Sequence, residues 1–248
     1  MDRRAARRYV NRSHQKGLAM NFIIDGFIST FVAEDRYKLF LTGIGNTLLT
    51  AFFATLVGVV IGSLIAVVKT VHRQKGSLKL LNAVAEVYTT VIRGTPVVVQ
   101  LLIMYNVIFI WSKHAVLVGI IAFGINSGAY VSEIIRAGIN AVDIGQTEAG
   151  RSLGLSWGVT MRKIVLPQAI KNVLPAIGNE FISLLKETSV IGYLGVLDLT
   201  KAAERVISRT ANVYFPYISI ALGYLAVVYI MNYFVKRLER RLAKSDRN

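Results

Sequence analysis

Charged residues are missing from four long stretches of this chain, 39–68, 94–112, 115–132 and 210–235. Each reaches or exceeds the roughly 18 apolar residues that let a helix cross a bilayer. At about 1.5 Å per residue, each covers most or all of a hydrocarbon core about 30 Å thick. The pattern predicts an all-α integral membrane protein. A first spanning helix is expected over about 41–68, where Gly43, Gly45, Gly58 and Gly62 admit a close neighbour and Gly58-x-x-x-Gly62 has the spacing of a helix-packing pair. The second is interrupted by Glu86, Arg93, Gly94 and Pro96, which predicts a tilted approach, a bend or break near Pro96, and a span over about 96–110. A third covers about 115–135 and carries Asn126, Ser127 and Glu133 towards its end; a hydrophilic stretch, 136–171, follows.

A span over 172–199 is hidden from hydropathy by Glu180, Lys186 and Glu187, and the placement of charge argues for it. Basic residues cluster between and beyond the apolar runs: Lys69, Arg73, Lys75 and Lys79; Arg151, Arg162, Lys163 and Lys171; then Lys236, Arg237, Arg240, Arg241, Lys244 and Arg247. With the extra span these three clusters share one membrane face, as the positive-inside rule requires, and the core has five spans. The loops left outside then hold Lys113, Lys201, Arg205 and Arg209. Residues 1–38 read as a basic arm and an amphipathic interfacial helix around Phe22-Ile23-Ile24-Asp25-Gly26-Phe27-Ile28-Ser29-Thr30-Phe31. That arm lies outside on this scheme, against the rule; a span over 18–32 would bring it inside and make six. No cleavable signal peptide is expected, since the 18–32 stretch contains Asp25 and lacks a small-residue cleavage site. The expected divisions are therefore 1–38, a transmembrane domain 39–238 with a central loop at 140–171, and a basic tail 239–248.

Composition agrees, with 54% hydrophobic and 17% charged residues, and the formal charge of +15 is accounted for by the loops. Nucleic-acid binding is not expected, because no helix-turn-helix, RNA-binding or zinc-finger pattern accompanies that charge. The absence of cysteine excludes disulfides and thiolate chemistry, and His14, His72 and His114 have no metal-ligand spacing. No catalytic residue, metal site or cofactor is assigned to this chain. No Gly-x-x-x-x-Gly-Lys-Ser/Thr phosphate loop is present, so any ATP and Mg²⁺ would belong to a partner.

The central loop reads Gly145-Gln146-Thr147-Glu148-Ala149-Gly150-Arg151-Ser152-Leu153-Gly154 and closes with Ile164-Val165-Leu166-Pro167. Thr147 is a plausible N-cap, Glu148 favours the positive end of a helix dipole, and Gly154 suits a left-handed C-cap. Ser156 can cap a second short helix whose Trp157, Met161, Ile164 and Val165 form an apolar ridge that could face a partner. An ordinary surface loop is an equally good reading of composition alone.

The spacing Glu148-Ala149, Gly154, Ile164-x-Leu166-Pro167 resembles the coupling loop of membrane subunits of ATP-binding-cassette importers. Ile92-Arg93-Gly94-Thr95-Pro96, the block from Gly128 to Ile139, Leu166-Pro167-Gln168-Ala169, Gly178-Asn179-Glu180-Phe181 and Leu185-Lys186-Glu187-Thr188-Ser189 resemble the polar amino acid branch of that family (histidine, glutamate, glutamine and arginine types). The resemblance implies a five-helix type I importer permease core in a bacterial cytoplasmic membrane, working by alternating access. It implies ATPase subunits, an extracytoplasmic amino-acid-binding protein, and a homodimer or heterodimer with a similar permease as partners, beside the lipid bilayer. Glu148, Ala149, Leu153, Gly154, Leu155 and Pro167 would form the loop that docks on the ATPase. The family usually has alanine where this chain has Gly150, a change expected to loosen the first helix by up to about 1 kcal/mol.

A zwitterionic amino acid needs an acceptor for its ammonium and donors for its carboxylate. Asn179, Glu180, Ser183 and Lys186 recur at helical spacing, with Thr188 and Ser189 beyond them and Thr95 at the break in the second helix. These seven are the candidate substrate pathway, since ionisable groups at membrane depth face the bundle interior. Glu86, Arg93 and Arg136 read more simply as helix-end charges, Glu133 and Arg136 being three apart. A secondary transporter driven by an ion gradient, an intramembrane enzyme and a non-transporting scaffold are the competing readings.

Overall fold

The computed structural model describes residues 21–244, and among them all regular structure is helical. Residues 1–20, the start of the expected 1–38 arm and interfacial helix, and 245–248, the end of the tail, lie outside the described residues. A first helix, α1 (21–32), ends where Glu34 and Asp35 take left-handed φ values of 54° and 55°. There follow α2 (Tyr37–Lys75), α3 (Lys79–Gly94), α4 (Val97–Ile103, extended by a wide turn through Ile108) and α5 (Ala115–Asn140). The central loop holds α6 (Ile144–Ser152) and α7 (Trp157–Thr160), and α7 runs through a wide turn, Met161–Val165, into α8 (Leu166–Glu187). After a tight turn over Thr188–Leu194 come α9 (Leu199–Thr210) and α10 (Tyr214–Lys244).

Length and apolarity suffice for a membrane crossing in α2, α5 and α10. The α3–α4 pair passes the same test jointly and is bent by 109°. The bend falls where the sequence predicts it: Thr95 is extended, as a residue before proline prefers, and Pro96 opens α4. With 39 residues, α2 is about 58 Å long and projects well beyond one bilayer surface.

The packing centre is the seam between α2 and α5. Gly58 and Gly62 on α2 face Ser127 and Val131 on α5, while Gly124 and Gly128 on α5 face Val57 and Ile61 on α2. A Cβ added at any of the four glycines would lie 2.6–2.8 Å from a carbon of the opposite helix. The pair recognised in the sequence thus has a partner with the same spacing, and backbones approach where side chains are absent. Around this seam, Ala54, Leu101, Phe123, Leu184 and Ile191 bring α2, α4, α5, α8 and the 188–194 turn into one apolar cluster.

The fourth span differs from expectation at both ends. The charge pattern predicts it over 172–199, but α8 begins at Leu166 and stops at Glu187. Gly195 turns left-handed (φ 80°), and Asp198 caps a separate helix by accepting from the Thr200 and Lys201 amides. Residues expected to form an outside loop, including Lys201, Arg205 and Arg209, therefore sit on amphipathic α9. Its Leu199, Ala202, Ala203 and Val206 pack on Phe40 of α2 and Ile220 of α10. Asn46 donates to the Leu197 carbonyl at 2.8 Å, and Gly43 makes room for the Asp198 backbone. Helix α10 continues without a break from its uncharged run into the basic residues at 236–244.

Lys69 links three helices at the other end of the bundle. Its ammonium, on a side chain only 7% exposed, lies 3.3 Å from Glu86 of α3 and 3.1 Å from Glu133 of α5. The Thr89 hydroxyl accepts from it as well, and Glu133 also accepts from Arg136, the helical pair read from the sequence.

Gly58→Ala is expected to destabilise the protein by about 1–3 kcal/mol through overpacking. Gly45→Ala, where no atom lies within 4 Å, should be neutral or gain up to about 1 kcal/mol. Thermal unfolding of both purified variants in one detergent measures the contrast.

Candidate functional site

Two groups of residues stand out, one on the central loop and one inside the bundle. The loop begins with a cap other than the expected one. Asp143, not Thr147, caps α6, its Oδ1 accepting from the Gly145 amide at 2.6 Å. Thr147 is inside the helix because Ile144–Gly145–Gln146 already make its first turn. At the far end Gly154 takes φ 79°, as expected. The Leu155 amide then reaches the Gly150 carbonyl at 3.2 Å and the Gly154 amide reaches Arg151 at 3.0 Å. Those two bonds satisfy carbonyls that a helix end otherwise leaves open and fix a sharp elbow. Arg151 braces it by donating to the Leu155 carbonyl at 2.8 Å. Ser156 caps α7 as the sequence predicts, accepting from the Val159 amide.

The elbow leaves Leu153 81% exposed and Ile144 74% exposed at opposite ends of α6, with Glu148 and Ala149 on the surface between them. Leu155 is half-buried and Pro167 exposed. Pro167 has no amide hydrogen to offer α8, and the wide turn Met161–Val165 just before it accommodates that gap.

The expected apolar ridge of α7 is not turned outward. Val165 is buried, and Trp157 and Met161 help line an apolar groove of about 560 Å³ with Val67 and Val71 of α2 and Ile135 and Ile139 of α5. The Lys75 ammonium lies over the Trp157 ring at 5.4 Å. The ridge therefore faces its own bundle across that groove, and the surface left for a partner is α6 and the elbow.

Gly150 is also not a point of looseness. It is buried, and a Cβ there would lie 2.7 Å from Thr160 Cγ2 and 3.1 Å from Ile164 Cδ1. The missing methyl lets α6 lie directly on α7. Gln168 reinforces the contact, donating to Gln146 at 3.4 Å and to the Ile164 carbonyl at 3.0 Å.

Inside the bundle, the candidate pathway residues divide. Glu180 accepts from Ser127 of α5 at 2.8 Å, and Ser183 is half-buried one turn on. Asn179 and Lys186 are exposed, at helical spacing either side of Ser183. Thr188 is fully buried, and its hydroxyl is engaged by the Leu185 carbonyl at 2.8 Å; Ser189 is half-buried beside it. Thr95 belongs to a different group, at the α3–α4 bend. There Gln100 donates to the Thr95 hydroxyl and to the Ile92 carbonyl, both at 2.7 Å, and accepts from Asn126 at 2.9 Å. The carbonyls freed at the end of α3 are thus met by a side chain.

The two groups reach α5 at consecutive residues, Asn126 and Ser127, both buried. Gln100, Asn126 and Ser127 were not among the candidates. The signal available in the sequence was an Asn-Ser pair and a lone Gln within otherwise apolar runs, since polar side chains at membrane depth seek partners on other helices.

Comparison with known proteins gives a consistent picture. Residues 58–244 match the family model described as "Binding-protein-dependent transport system inner membrane component". A putative glutamine transport system permease protein GlnP of Rickettsia bellii is 42% identical, over 80% of this chain and 90% of its own length. The arginine transport system permease protein ArtQ of Bacillus subtilis is 36% identical, over 83% of this chain and 93% of its own. A crystal structure of an amino acid ABC transporter with histidines superposes with a TM-score of 0.78 at 44% identity, covering 85% of this chain and 98% of that one. An inward-facing structure of the MetNI methionine ABC transporter shares the fold, with a TM-score of 0.73 at 20% identity.

Gly150→Ala should destabilise the loop by about 1–3 kcal/mol despite alanine's better helix propensity. Thr160→Ser, which removes the methyl but keeps the hydroxyl bonded to Ser156, should recover part of that loss. A double-mutant cycle on thermal unfolding measures the coupling.

Proposed function

The chain belongs to the family of binding-protein-dependent transport system inner membrane components, and from that premise we propose that it is the permease subunit of an ATP-binding-cassette importer for polar amino acids. The observation that carries the mechanism is the elbow at Gly154, which leaves α6 and Leu153 at the surface while α7 continues through buried Val165 into α8. In this reading Glu148, Ala149, Leu153, Gly154 and Leu155 enter a cleft of a separate ATPase subunit that binds ATP and Mg²⁺, and Pro167 fixes the return into α8. Closure of the ATPase pushes on α6. The push passes through the Gly150–Thr160 contact and α7 to α8, α2 and α5.

Alternating access requires polar contacts between helices that can exchange when the helices move. The Ser127–Glu180 and Asn126–Gln100 bonds suit that role, since each joins α5 to a different neighbour. Glu180 would meet the ammonium of the amino acid, with Ser183 beside it and Thr95 at the bend. Asn179, Lys186 and Ser189 would line the path from the outer face of α8, where a second permease subunit would stand. Thr188, its hydroxyl occupied, would shape the end of α8 instead of contacting solute. Binding of solute from an extracytoplasmic binding protein, pairing with an identical or similar permease, and residence in a bacterial inner membrane complete the proposal.

Co-purification from native membranes, followed by ATPase measurements across a panel of amino acids, tests it: an ATPase subunit and stimulation by polar amino acids are expected. Uptake that continues without any ATPase subunit would point instead to an ion-driven carrier. Leu153→Asp should reduce ATP-driven uptake by at least tenfold while leaving the melting temperature of the isolated chain unchanged, because the side chain touches solvent. Glu180→Gln in reconstituted vesicles should lower uptake by about tenfold, the scale of one lost charge-assisted hydrogen bond. Unchanged uptake would remove Glu180 from the path.

A further inference from the structure

The ends of α2 and α5 on the side of the basic loops, with one face of α3 along most of its length, surround an open cavity of about 550 Å³. Its charged lining is Lys69, Arg73, Glu86, Arg93, Glu133 and Arg136, four cations against two carboxylates. Both carboxylates are already engaged, Glu86 with Lys69 and Glu133 with Lys69 and Arg136. Arg93 and Arg73 have no carboxylate partner among the described residues. The Arg93 guanidinium lies 5.4 Å over the Tyr130 ring, and Arg73 donates to Asn140 at 3.3 Å. A surplus of positive charge beside hydrocarbon calls for an anion.

The depth of the cavity limits what that anion is. Lys69 is the first charge after the uncharged run 39–68 of α2, and Glu133 the first after the run 115–132 of α5. The cavity therefore lies at the level of the lipid headgroups. Helix α3 has two faces there: Glu86, Thr89 and Arg93 line the cavity, whereas Val84, Val87 and Val91 line an apolar groove of about 460 Å³ on its outer side. A charged pocket and an apolar track on one helix match a molecule with a phosphate head and an acyl chain. A zwitterionic amino acid fits less well, because no carboxylate remains for its ammonium.

We propose that this cavity holds the phosphate of an anionic phospholipid from the cytoplasmic leaflet, with an acyl chain along the outer face of α3. Basic pockets between spanning helices on the cytoplasmic side bind such headgroups. The lipid would neutralise Arg93 and Arg73 and so bridge α3 to α2. This reading does not depend on which solute is carried.

The test uses the full-length chain with whatever subunits co-purify, in phosphatidylcholine nanodiscs doped with phosphatidylglycerol, and quantifies the lipid retained after delipidation. Wild type is expected to enrich phosphatidylglycerol. Arg93→Gln combined with Arg73→Gln should lower that enrichment about tenfold to thirtyfold. Either single variant should lower it less. Lys236→Gln with Arg237→Gln, on the exposed end of α10 outside the cavity, should lower it less than the Arg73/Arg93 pair does. Equal retention by wild type and the Arg73/Arg93 variant would overturn the proposal. Two soluble competitors separate the sources: displacement of the lipid by millimolar glycerol 3-phosphate would assign the cavity to small anions, and displacement by millimolar free amino acid would assign it to the solute path. Either result would exclude a lipid site.

Discussion

The closeness of α2 and α5 is the constraint on which the other contacts depend. Within hydrocarbon, burial of apolar side chains against each other gains little over their contact with lipid, so helices associate where backbones can touch. Gly58 and Gly62 on one side and Gly124 and Gly128 on the other allow that touch over more than a turn. The seam in turn positions what lies at its two ends. At one, Asn46 reaches Leu197 and holds α9 over the bundle; at the other, Lys69 gathers α3 and α5. Because α5 is clasped by α2, its remaining faces are left for α3, α4 and α8; Asn126 turns to α4, and Ser127, at the edge of the seam opposite Gly58, reaches α8.

Polar groups at membrane depth are costly unless matched, and several of the matches here join different helices. Gln100 spans the α3–α4 break to Asn126, Ser127 reaches Glu180, and Lys69 is held by two carboxylates. Such contacts are discrete: a helix that shifts by a fraction of a turn loses one partner and must find another. A permease that exposes its path first to one side and then to the other needs interfaces of this kind, in which movement exchanges partners and does not simply deform packing.

The central loop meets a different constraint, the stiffness of a short helix at the surface. A short helix on a flexible tether would move without moving the bundle. Here α6 is locked by a cap at each end and pressed on the Thr160 and Ile164 side chains through the absent side chain of Gly150, and the same segment runs on through buried Val165 into α8. The glycine that propensity alone marks as a weakness is where the two helices come closest. Family membership supplies the transport role; the geometry supplies a rigid path by which a docked partner could act on the helices.

The sequence by itself determined the membrane class, the α2, α5 and α10 spans, the break at Pro96, the Glu133–Arg136 pair, the elbow at Gly154 and the cap at Ser156. Each of these depends on local information: an uncharged run, a proline, a helical spacing or a residue suited to one backbone conformation. What only the tertiary structure decided were the features whose meaning depends on a neighbour far along the chain. The end of α8 and the existence of α9 follow from where Asp198 meets Gly43 of α2, and the inward turn of Trp157 follows from the groove that receives it. Likewise Asn179 and Glu180 are adjacent in sequence and polar alike, yet one faces out and the other meets Ser127. A helix rotates about 100° per residue, so the face a residue occupies is set only when a second helix packs against it.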